Sequence, residues 1–250
     1  MNKVHRRILP NTGEPVPLAV YLVEIVAIVA NITPCTTLSP LLRLPKELRY
    51  EVYNHLCCIE PKSYPFSASP ISSIDQRPPP TNLQVTCRYL RAEIQAYFFG
   101  KATVRFVAQD VLRFRQQDIQ TTALNVIHRA RKVEIVLHWN ITSERAKADM
   151  SAWPHSMNGW LMEQVDLLLY EGKSLGLIIV SVSDSSEYVD WKSKSRMLAP
   201  LMRLRGSLRI RLGVVTAADG EEEGLRTHLE EYVKELNQPL SRTSDESSFS

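Results

Sequence analysis

From residue 101 onward the apolar residues switch between a spacing of two and a spacing near 3.6, and this limits the fold more than any other feature of the chain. Thr103 to Val107 reads as a short strand, and Ala108 to Arg131 as helix with a break near Thr121. Val133, Ile135 and Leu137 alternate with Glu134 and His138, which predicts a strand. Met157, Leu161, Val165, Leu168 and Leu169 form a helical stripe. Leu175 to Val182 is a continuous apolar run of strand length, consistent with burial on both faces. Trp191, Leu198, Leu201 and Met202 predict a helix that stops at Gly206, and Leu208, Ile210, Leu212 and Val214 alternate with Arg209, Arg211 and Gly213. A last helix carries Leu225, Leu229, Tyr232, Val233 and Leu236 on its buried face. Asp219 is placed to cap it, Glu221 to Glu223 suit its positive end, and Asn237 and Pro239 terminate it. Strand followed by helix, four times over, predicts an α+β or α/β fold: a small mixed or parallel sheet covered by helices. The strand starts near 103, 132, 175 and 208 are unevenly spaced, and no repeated leucine signature supports a leucine-rich solenoid.

Ahead of this region lie two helical stripes. In LSPLLRLPKELRYEVYNHLCC, Leu44, Leu48, Val52 and Leu56 recur every four residues, and Tyr53 widens the stripe. Pro45 fits a first helical turn and Glu47 favours the same end, so the spacing predicts a helix over about 45–58. Residues 60–80 hold Pro61, Pro65, Pro70, Pro78, Pro79 and Pro80 among serines, which predicts a loop. Thr81 and Gln84 then have the spacing of a capping box. Leu83, Cys87, Leu90, Ile94, Tyr97 and Phe98 follow as one helical face, with Gly100 as its stop. The chain thus divides into an apolar N-terminal segment of unclear role (1–34), a helical module (35–100) with its proline-rich loop (60–80), an α/β domain (101–238) and a disordered Ser- and acid-rich tail (239–250).

Charge enters as an exclusion. Lys and Arg number 30 against 27 Asp and Glu, a net of +3, which is no electrostatic footprint for binding nucleic acid through bulk charge. Residues 101–150 are locally basic, with nine Lys and Arg against five acids, and read as solvated helix and strand faces. The four cysteines form no metal-ligand spacing, and Cys57 and Cys87 fall on apolar helix faces as small buried hydrophobes, which suits a reducing compartment. Val16 to Ile32 is apolar but broken by Pro17 and Glu24, too short in its pieces for a stable membrane span. As a signal peptide it is a weak match, so the expected location is cytoplasmic or nuclear, with secretion the less favoured alternative.

The two early helices together resemble the F-box-like proteins abundant in filamentous fungi. Leu44, Pro45, Glu47, Leu48, Arg49, Tyr53 and Leu56 match a Leu-Pro-x-Glu-Leu-Arg helix followed by Tyr and Leu. Cys87, Arg88, Arg91, Ala92, Glu93, Phe98 and Phe99 match a Cys-Arg-x-x-Arg-x-Glu helix that leads through aromatics into a strand. The match covers about residues 41–107 and joins two spaced motifs. The resemblance implies an adaptor. Its helical module would dock on the linker subunit of a cullin-based ubiquitin ligase, and the rest of the chain would recruit a protein substrate. Carried over by position, the docking residues are Leu44, Pro45, Leu48, Val52 and Leu56. A stand-alone fungal interaction protein without a ligase is the alternative.

No residue pattern argues for an enzyme or a cofactor. Gly172-Lys173-Ser174 resembles the end of a phosphate-binding loop, but Leu167 stands where the first glycine belongs and the helix–strand order is reversed, so a helix stop at Gly172 is expected. The six histidines have no partner at metal-ligand spacing, and a Cys87 thiol on an apolar helix face would stay protonated. Trp139, Trp153 and Trp160 surround a break between elements and are expected to pack in the core.

Overall fold

The computed structural model describes residues 40–57, 64–66, 70–108, 119–140, 152–186, 190–218 and 220–239. The N-terminal apolar segment, Cys35, Cys58, Asp219 and the tail from residue 240 lie outside them, as does the first part of the helix expected over 108–131.

Four parallel strands run side by side in chain order: β3 (Thr103–Ala108), β4 (Lys132–Trp139), β5 (Leu177–Asp184) and β6 (Arg209–Ala217). Two two-residue strands, β1 (Tyr64–Pro65) and β2 (Ser73–Ile74), add on antiparallel beside β3, so the order is β1-β2-β3-β4-β5-β6. The result is the helix-and-sheet fold with a mixed sheet that the alternating periods predict. Each parallel connection is a helical crossover: α5 (Thr121–Arg129) joins β3 to β4, α6 (Ala152–Glu171) joins β4 to β5, and α7 (Trp191–Leu198) with a 3₁₀ turn (Ala199–Leu204) joins β5 to β6. The final helix, α8 (Glu222–Leu236), packs back on β6.

Strand order that follows chain order has a consequence. Right-handed crossovers between successive neighbours put all connecting helices on one face of the sheet. The core agrees. One contiguous apolar cluster takes Val104 and Phe106 from β3, Ile135, Leu137 and Trp139 from β4, Ile178, Val180 and Val182 from β5, and Ile210 and Val215 from β6. The same cluster holds the buried faces of the helices, Ile127, Leu161, Val165, Met197, Leu201, Leu225 and Leu229 among them. The alternate strand residues Val107, Val136, Leu177, Ile179 and Val214 are outside it. β6 bulges between its pairings with Val180 and Val182, where Gly213 and Val214 stand together opposite Ser181. Gly213 is required there, because a Cβ would lie 2.2 Å from Ser181 Oγ and 2.7 Å from Ile179 Cγ2. Gly206, at φ 73°, supplies the left-handed turn between the 3₁₀ segment and β6.

The front of the chain joins the same core. A single turn, α1 (Pro40–Arg43), precedes α2 (Lys46–Cys57), close to the expected helix. The second expected helix is two: α3 (Thr81–Thr86) and α4 (Arg88–Lys101). The break is at Cys87, whose extended backbone (φ −157°, ψ 159°) makes it the N-cap of α4, with its Sγ accepting from the Leu90 N–H at 3.4 Å. Cys87 is therefore half-buried at a junction, not mid-stripe on a helix face, whereas Cys57 is buried as expected. The capping box does not form either. Pro80 is the N-cap of α3, and Gln84 donates to the Pro79 carbonyl at 2.8 Å. Gly100 lies inside the last turn of α4 and does not end it; the Ala102 N–H closes that turn onto the Phe98 carbonyl. In the proline-rich stretch, β1 and β2 replace the expected loop because β3 offers an unpaired edge: Ser72 N–H donates to the Arg105 carbonyl at 2.9 Å and Asp75 N–H to the Thr103 carbonyl at 3.1 Å.

Candidate interaction surfaces

Helix α2 divides its surface between two tasks. Arg49, Tyr53 and Cys57, four residues apart, are buried, and Tyr53 and Cys57 belong to the main core. Tyr50, Tyr53 and Tyr97 pack as a tilted aromatic group with centroids 4.7 to 6.1 Å apart. Arg49 donates from Nε to Glu93 Oε1 on α4 at 3.0 Å and from Nη1 to the Leu44 carbonyl at 2.5 Å. These contacts rotate the other stripe outward. Leu48 is 51% exposed, Pro45 is exposed, and Leu44 and Val52 are half-buried without packing against the core. Leu56 differs from the other four, since it packs against the core at the end of the helix. On α4, Tyr89 is 60% exposed one turn before Glu93, so an exposed ring flanks the ion pair on that side.

The second surface is the sheet face turned away from the core. A row in continuous register crosses all six strands: Pro65, Ser73, Arg105, Glu134, Ile179 and Arg211. Its centre is a polar chain. Arg105 Nε donates to Glu134 Oε2 at 2.5 Å, Ser181 Oγ donates to Glu134 Oε1 at 2.6 Å, and Val214 N–H donates to Ser181 Oγ at 3.1 Å. Glu134 is thereby buried with both carboxylate oxygens engaged, as a buried charge must be. Ile179 and Ser181 are buried within this face, as the apolar run predicts for β5. Towards β6 the face opens: Arg209, Arg211 and Thr216 are exposed, and Val214 is 64% exposed. In the sequence this alternation signals a strand and does not by itself mark a surface. The clue was the pairing of Arg209 and Arg211 with Ile210 and Leu212, which is the pattern of a sheet with one solvated face.

At the carboxyl end of the sheet, Lys194 Nζ on α7 meets Asp184 Oδ2 on β5 at 2.5 Å, with both side chains largely buried, and lies 5.9 Å from the Trp139 ring centre. Trp139 and Trp160 are core residues, as expected; the Trp153 side chain is outside the described set. His128 contacts Glu171 at 2.5 Å, tying the end of α5 to the end of α6, and His228 stacks on Trp191 with centroids 5.0 Å apart. Gly172 follows α6 directly; a Cβ there would stand 2.4 Å from the Leu168 carbonyl oxygen, so its role is to end the helix. Among the described residues no group of three or more His, Cys, Asp or Glu is placed to hold a metal ion, and no helix is long and apolar enough to cross a membrane. No family model matches the chain, and no curated protein or solved structure matches it.

Proposed function

We propose that this chain is an F-box-like adaptor for protein–protein interaction, in which the outward flank of α1 and α2 engages the linker subunit of a cullin-based ubiquitin ligase and the α/β region recruits a protein substrate. The observation that carries the reading is the division of α2. Arg49, Tyr53 and Cys57 hold the helix in place, while Leu44, Pro45, Leu48 and Val52 are left outside the core among the described residues. An apolar strip at helical spacing on a fixed helix is the form in which a groove on a partner recognises a helix. Leu56 has a different role here: it secures the end of α2 to the core. The reading assigns the chain no catalytic step of its own and no cofactor, and it places the chain where the ligase operates, in the cytoplasm or nucleus.

Affinity capture of the tagged full chain tests this. The linker subunit and the cullin are expected in the captured material, and both should disappear with Leu48→Asp/Val52→Asp. Capture that recovers neither, under conditions that recover a known F-box protein, overturns the reading.

A further inference from the structure

We propose that the sheet face turned away from the helices is a docking surface for an acidic, extended polypeptide segment with aliphatic side chains between its acids. This goes beyond the ligase reading and stands without it. Parallel sheets usually have both faces covered, and the exceptions are solenoid-like sheets whose bare face binds partners. Here the buried apolar side chains of the described crossover helices α5, α6 and α7, and of α8, all belong to the cluster on the opposite side.

The chemistry of the face selects the occupant. Among the described strand residues its basic side chains are Arg105, Lys132, Arg209 and Arg211, and its one carboxylate is Glu134, so their balance is 4 − 1 = +3. Glu134 is spent internally on Arg105 and Ser181. Arg209 and Arg211 are exposed on β6, two residues apart on one face, and no carboxylate among the described residues pairs with either. Beside them stand the half-buried Leu177 and the exposed Val214, in register or at the bulge, with the buried Ile179 packed between the strands' side chains. Unpaired arginines interleaved with aliphatic side chains complement a strand-like segment of alternating acidic and aliphatic residues. A nucleic acid is disfavoured, since the strand residues on this face include no Phe, Tyr or Trp on which bases could stack. The partner is also expected on the face, not along the free edge of β6. Asn237 occupies that edge, accepting from the Ile210 N–H at 2.9 Å and donating to its carbonyl at 2.7 Å, which obstructs strand addition there.

The test is to pan random dodecapeptides displayed on phage against the full-length chain. Enriched peptides are expected to be rich in Asp and Glu with Val, Ile or Leu between them, and to bind less well as salt is raised. Their binding should fall at least about tenfold with Arg209→Glu/Arg211→Glu. The same charge change on α8, Arg226→Glu, should leave it unchanged. Matching thermal midpoints establish that these exposed variants fold. No enrichment, enriched peptides without acids, binding that Arg209→Glu/Arg211→Glu leaves intact, or tighter binding of an oligothymidylate than of any peptide would each overturn the proposal.

Discussion

Arg49 on α2 and Glu93 on α4 form an ion pair, Nε to Oε1 at 3.0 Å, with only 8% and 9% of their side chains exposed. They are 44 residues apart in the chain, and their contact sets which flank of α2 faces the core. Removing one member of a buried pair leaves the other charge uncompensated. Glu93→Leu is therefore expected to destabilise the fold by on the order of 3 kcal/mol in denaturant unfolding. Leu48→Asp, on the outward flank, should change stability by no more than about 0.5 kcal/mol. Equal losses from the two would mean that the flanks have been assigned the wrong way round.

Two tyrosines predict opposite responses to one substitution. The Tyr53 hydroxyl is buried near the Arg49 guanidinium without a well-formed hydrogen bond, whereas Tyr232 donates to the Leu198 carbonyl at 3.0 Å. Tyr53→Phe removes an unsatisfied polar group and should be neutral or stabilising by up to about 1 kcal/mol, while Tyr232→Phe strands a carbonyl and should cost about 1 kcal/mol. Thermal denaturation of the two variants separates these outcomes.

The same tyrosines govern alkaline stability. Burial is the main cause that pushes the Tyr53 phenol up to about 12, with the Glu93 charge adding and Arg49 opposing. Burial and then the Glu235 charge take Tyr232 to about 12 as well. Against an ordinary value of 10.0, the folded chain holds these protons more tightly than the unfolded chain. Below about pH 10 both states are protonated and the stability is fully present. Above it the unfolded state binds fewer protons, so stability falls as pH rises towards about 12, with Tyr53 contributing on the order of 2 kcal/mol. Denaturant midpoints across that range should fall less steeply for Tyr53→Phe than for the parent.

Gly213 tests the packing beneath the open sheet face. An added Cβ would collide with Ser181 Oγ and Ile179 Cγ2, both on the neighbouring strand β5. Gly213→Ala is expected to cost about 1–3 kcal/mol. Combining it with Ser181→Ala removes one of the colliding atoms, so the double variant should be more stable than the sum of the two single effects. Strict additivity would show that β6 shifts away from β5 instead of meeting it.

The sequence revealed the elements whose apolar period feeds the core. β3 to β6, α2, α6 and α8 are where their spacing placed them, because each buries one repeating set of side chains. What escaped has specific physical reasons. The break at Cys87 was hidden because Leu83, Leu90 and Ile94 are all buried on either side of it, so a kinked pair of helices and a single helix share one stripe. β1 and β2 were hidden because two-residue strands carry no period; their pairing is dictated by the backbone of β3. The Arg105–Glu134–Ser181 chain was hidden because it depends on strand register, and register follows from which strands are neighbours. The outward stripe of α2 was visible as a stripe, yet only the buried Arg49–Glu93 contact shows that Tyr53, and not Leu48, faces inward.

The most direct measurement of the central claim is a titration of the purified chain with the purified ligase linker subunit, beside the same titration of Leu48→Asp/Val52→Asp. Saturable binding by the parent, weakened at least about tenfold in a variant of unchanged thermal midpoint, is the predicted result. Absence of binding by the parent, or equal binding by the variant, contradicts the account.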